Sequence, residues 1–106
     1  MSSLLISMVL ASAGLGEPIY LRCPFERAEV LITADEANST VTVALPSTGH
    51  SEKLSAAFTA SEVRFQNSNL TYVLSRVDLS ITRTIKMIKA TDRAQCAIEK
   101  APKRAF

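Results

Sequence analysis

The side chains that could do chemistry in this chain are few and poorly spaced for it. The one histidine, His50, lies in the segment Pro46-Ser47-Thr48-Gly49-His50, with no acid, cysteine or second histidine at the spacing of a catalytic triad or a metal site. It reads as a solvated turn residue. Serines are numerous, but none sits in a G-x-S-x-G elbow and S-x-x-K does not occur. Glu26 and Glu29 flank Arg27 and could hold a cation; carboxylates interleaved with arginine read more simply as a surface ion-pair cluster. No glycine loop for phosphate, zinc spacing or calcium loop is present. The expectation is a protein that is not an enzyme and holds neither a cofactor nor a metal.

Two features remain. Cys23 and Cys96 stand far apart, outside any C-x-x-C or Cys/His cluster, so in an oxidising compartment they read as one disulfide, the alternative being two buried thiols. Closing a loop of about 70 residues would contribute about 4 kcal/mol in the chain-entropy account. The second feature is Arg83, which falls on the same parity as Leu79, Ile81 and Ile85, where an apolar side chain is expected. Local rules often break at sites. A snorkelling arginine, or a structural pair with Asp78, is the plainer reading. Arg76, Arg83, Lys86 and Lys89 lie close in sequence and could form one basic patch for an anionic partner.

The elements that must position these residues are strands. Val30, Ile32 and Ala34 alternate with Leu31 and Thr33; after Asp35-Glu36-Ala37-Asn38-Ser39, Val41, Val43 and Leu45 alternate with Thr40, Thr42 and Ala44. That pattern predicts a hairpin with one apolar face. Leu54, Ala56 and Phe58 resume the period of two, with a helix over 51–60 as the one rival. Val63 and Phe65 predict a short strand ended by Asn67-Ser68-Asn69, and Leu70, Tyr72 and Leu74 predict the next. After a turn at 76–78 come Leu79, Ile81 and Ile85. Ala90-Thr91-Asp92-Arg93 reads as a turn, and Cys96 with Ile98 as a last strand ended by Pro102. The expected fold is mainly β: a small antiparallel β-barrel or sandwich of six to eight strands with one disulfide.

Bulk properties agree with a single small domain. The chain has 106 residues, 47% hydrophobic and 21% charged. Its net charge of +2 falls short of a nucleic-acid binder's footprint, and aromatic stacking residues are scarce. The charge is polarised. Residues 1–63 carry three basic and seven acidic side chains, whereas 64–106 carry nine basic and three acidic. Acidic and basic strands lying side by side would complement each other across the ladder.

Residues 4–11 form an apolar run of leader length, followed by Ala11-Ser12-Ala13 before Gly14. We therefore read 1–13 as a signal peptide and 14–106 as a single β domain. No Lys or Arg precedes the run, and it is too short for integral membrane insertion.

The segments Leu70-Thr71-Tyr72, Ser75-Arg76-Val77-Asp78-Leu79-Ser80, Arg83-Thr84-Ile85 and Cys96-Ala97-Ile98 resemble small uncharacterised exported proteins of marine picocyanobacteria and their phages. The ending Pro102-Lys103-Arg104-Ala105-Phe106 and the early Cys23-Pro24-Phe25-Glu26-Arg27 share the likeness. The resemblance implies a periplasmic, thylakoid-lumenal or secreted setting and brings no activity or site residues. In architecture alone the chain is also similar to the small disulfide-bonded lysozyme inhibitors of bacterial envelopes, without a match to an inhibitory loop. The function expected is a non-catalytic exported module that binds an envelope or secreted protein with an anionic surface. The alternatives are a small hydrophobic-ligand carrier and a lysozyme-inhibitor-like protein.

Overall fold

A computed structural model describes residues 16–100; the leader reading at 1–13 and the ending at 102–106 lie outside the described residues. The strands are β1 (Ile19–Pro24), β2 (Glu29–Asp35), β3 (Thr40–Leu45), β4 (His50–Phe58), β5 (Glu62–Gln66), β6 (Leu70–Ser75), β7 (Ser80–Ile85), β8 (Ala90–Gln95) and β9 (Ala97–Glu99). Each pairs antiparallel with the next from β1 to β8, and β9 returns to pair with β1. The result is a nearly closed barrel.

The sheet turns at two corners. The first six residues of β4 pair with β3, and its last three, Ala56–Phe58, pair with β5. The second corner is Cys96, the single residue between β8, which pairs with β7, and β9, which pairs with β1. Cys96 is bonded to Cys23 of β1, and its amide donates to the Leu79 carbonyl at 2.9 Å. The disulfide thus sits on the seam where a linear meander becomes a barrel. On the outer face of the seam Arg22 bridges Glu29 of β2 at 2.6 Å and Glu99 of β9 at 2.6 Å. Glu99, then Glu29, hold the guanidinium charged beyond its ordinary range.

The alternation seen in the sequence fills the interior. Leu21, Val30, Ile32, Val41, Val43, Val63, Phe65, Tyr72, Leu74 and Ile81 are all buried, and the Phe65 and Tyr72 rings stack at 4.8 Å. Residues 51–58 are strand, not helix, because Leu54, Ala56 and Phe58 pack on this core from one face.

Three readings need correction. Residues 90–93 belong to strand β8; the turn is 86–89. The signal was missing because the residues of β8 on the inward parity are Ala90, Asp92 and Ala94, facing Ile85, Arg83 and Ile81 across the ladder, so no large apolar side chains mark the strand. Counting β8 and dividing the last strand at Cys96 gives nine strands, against six to eight expected. Leu79 is not in β7. It closes the preceding turn in the left-handed region, φ 64°, a conformation costly for a large side chain.

Candidate functional site

In a meander successive turns alternate between the two ends of the barrel, and the ends here differ. One end is plugged. Phe25, in the β1–β2 connection, is buried with its ring 4.1 Å below the Arg83 guanidinium carbon. Arg83 faces Tyr72 on β6 and Asp92 on β8, and its Nη2 donates to Asp92 Oδ2 at 2.9 Å. Its side chain is only 15% exposed, and Nε has no hydrogen-bond partner. Burial pushes the Tyr72 phenol above its ordinary value of 10.0, and the Arg83 charge opposes that rise. Nearby, Asn67 Nδ2 donates to Glu52 Oε2 at 3.1 Å, and Glu52 also meets His50 Nε2 at 3.2 Å. Arg83 is thus a structural ion pair and a ring-stacked plug, and its partner is Asp92, with Asp78 bonded elsewhere.

The other end is open. A cavity of about 250 Å³ enters the barrel between the start of β1 and the β6–β7 turn. Its walls are apolar: Leu21, Ala34, Phe58, Val63, Leu74 and Leu79, with Ile19 and Ile98 at the mouth. These two are exposed, Ile98 to 64%. Glu17, Glu36 and Arg76 line the rim. Arg76 is fully engaged there: it pairs with Glu36 at 2.8 Å, donates to the Thr59 carbonyl at 2.6 Å and lies 5.8 Å from the Phe58 ring centroid. The left-handed backbone at Leu79 sets that side chain into the cavity wall. Sequence reading placed Ala34, Phe58, Val63, Leu74 and Leu79 on apolar faces but did not locate the mouth, because Ile19 only begins β1 and Ile98 sits in a three-residue strand, where alternation is too short to read.

The four basic candidates therefore do not form one surface. Arg76 lies at the open end, paired across to Glu36; Arg83 is inside the plugged end; Lys86 and Lys89 lie on the β7–β8 turn beyond it. The alternation of turns in a meander was the available signal for this separation. Glu29, read as part of a cluster with Arg27, pairs with Arg22. Among the described residues no group of three His, Cys, Asp or Glu could hold a metal, and no helix is long and apolar enough to cross a membrane.

The turn that carries Arg76 and Leu79 is built from polar side chains. Ser75 Oγ accepts from the amides of Val77 and Asp78, and Asp78 Oδ1 accepts from the Ser80 amide at 3.0 Å and its hydroxyl at 2.8 Å. The Ser80 bonds, amide first, hold the Asp78 carboxyl below its ordinary value of 3.8. A depressed value means that the unfolded chain takes up the proton first, so this contribution is present above about pH 4 and is lost as pH falls through the folded value. Thermal melts should therefore place wild type above Asp78→Asn at neutral pH, with the gap closing on the acid side of pH 3.8. A gap that stays constant to the lowest pH would show that the Ser80 bonds do not depend on charge.

Comparison with protein-family models, with curated proteins and with solved structures returns no significant match.

Proposed function

We propose that this protein is a non-catalytic, exported β-barrel that carries a small apolar ligand in its open end. The observation that supports this reading best is the cavity of about 250 Å³ walled by Leu21, Ala34, Phe58, Leu74 and Leu79. An apolar cavity of about 150 Å³ is enough to take up benzene. Arg76, the cation of the rim, is already paired with Glu36, and Glu17 adds a further negative charge there, so the site favours an uncharged guest over an anion. Export to a periplasmic, thylakoid-lumenal or secreted setting is supported by the Cys23–Cys96 bond, since such bonds persist in oxidising compartments.

The test is saturable binding of the neutral fluorophore N-phenyl-1-naphthylamine, with native mass spectrometry of the protein from an oxidising compartment to look for a retained guest. Ala34→Leu extends a side chain into the cavity and should weaken probe binding about tenfold, the effect of displacing a few buried methylene contacts. Probe binding that is absent in wild type, or unchanged in Ala34→Leu, would remove the proposal.

A second reading keeps the same mouth and changes the guest. Ile19, Ile98 and Val77 are exposed around it, which favours a partner protein that lays an apolar side chain over the rim. Val77→Asp, which lies outside the cavity lining, separates the two: probe binding is unchanged under the cavity reading, whereas capture of a partner from an envelope extract is reduced under the second.

A further inference from the structure

The β7–β8 connection, Lys86-Met87-Ile88-Lys89, leaves Met87 90% and Ile88 66% exposed at the tip of a hairpin. Nothing in the fold needs apolar side chains there. The base of the tip is fixed: the Lys86 amide donates to the Asn69 carbonyl at 2.9 Å, its ammonium to the Asn67 carbonyl at 2.7 Å, and Lys89 closes the turn in the left-handed region, φ 55°. The tip is therefore held in one orientation by the β5–β6 turn.

Its charge is distinctive too. Of the four connections at the plugged end, 25–28 holds one acid and one base, 46–49 and 67–69 hold neither, and 86–89 holds two lysines; no acid occurs anywhere in 84–91. Two adjacent apolar side chains on a convex point, with a lysine at each shoulder, match the layering of a bilayer surface. Acyl chains receive the apolar tip, and long lysine stems reach anionic headgroups. A partner protein would need a pocket to enclose the point, whereas a bilayer needs none.

We propose that the β7–β8 tip is a membrane-docking loop that inserts Met87 and Ile88 into the interface of an anionic bilayer, with Lys86 and Lys89 at the level of the phosphates. It acts reversibly, because a tip this small buries little area. The cavity lies at the opposite end of the barrel, so docking would leave the mouth facing away from the surface, and either reading can fail without the other.

The full chain is tested by sedimentation with vesicles of phosphatidylcholine alone and of phosphatidylcholine with phosphatidylglycerol. Binding should require phosphatidylglycerol, weaken with salt, and fall about tenfold or more in Met87→Ser/Ile88→Ser and in Lys86→Glu/Lys89→Glu. The chain has no tryptophan, so Met87→Trp reports on the tip alone, and its emission should shift to the blue on anionic vesicles. The four side chains lie outside the core, so melting temperatures of the variants serve as fold controls. No binding to anionic vesicles, binding that survives Met87→Ser/Ile88→Ser, or an unshifted Met87→Trp spectrum would each overturn the proposal.

Discussion

Replacing Cys23 and Cys96 together by alanine should lower the melting temperature by about 15–30 °C, the largest effect expected here. The separation of 73 residues makes the loop long enough for a chain-entropy contribution of about 4 kcal/mol. In a domain of this size each kcal/mol is worth roughly 4–8 °C. Both sulfurs are buried, so alanine is a better control than serine, which would add unsatisfied hydroxyls to the core. The bond also has a local job. Cys96 is the residue at which the chain leaves β7 and joins β1, and β9 is only three residues long. Loss of the bond should therefore show first at the seam, as faster amide exchange in β8 and β9 than in β2, β3 and β6. The measurement is a pair of thermal melts with hydrogen exchange. Near-identical melting, or a loss of protection spread evenly over the barrel, would mean that ladder pairing and the Arg22 bridges close the seam without help.

The second large effect should come from a residue outside any strand. Phe25→Ala is expected to cost about 3 kcal/mol in a denaturant titration, as for an aromatic deleted from a core. Phe25 is 5% exposed, and its ring carries the Arg83 guanidinium. Phe25→Leu should keep most of the burial and lose the ring face, costing about 1 kcal/mol. The stack itself is measured by coupling Phe25→Leu with Arg83→Met in a double-mutant cycle, with about 1 kcal/mol of interaction expected. A cost for Phe25→Ala below about 1 kcal/mol would mean that the plugged end adds nothing to the core. Arg83→Met alone should be far milder than Asp92→Ala, because the first removes a partly buried charge and the second leaves that charge unpaired.

The contrast between the two ends explains why one candidate site was legible and the other was not. Arg83 stood out because its position broke a period of two in a single strand, which is a property of neighbouring residues. Its partner was not legible: Asp78 is nearer in sequence, but the ladder places Asp92 directly opposite. The apolar mouth drew nothing from the sequence, because its walls come from six strands and the β6–β7 turn, and each contributes only one or two residues.

By itself the sequence determined the strand faces, the positions of most turns and the identity of the covalent staple. Those follow from local rules: alternation sets which side chains share a face, turn residues interrupt it, and two cysteines have only one pairing. Strand β8 escaped because Ala90, Asp92 and Ala94 need no bulk where they face Ile85, Arg83 and Ile81. Only the tertiary structure decided how the sheet closes, that β4 and Cys96 turn its corners, and which end is plugged and which is open. It also separated Arg76 from Lys86 and Lys89, which lie only 10 and 13 residues further along the chain. The physical reason is that register and closure depend on pairings between distant segments, whereas periodicity reports only the face on which a residue lies.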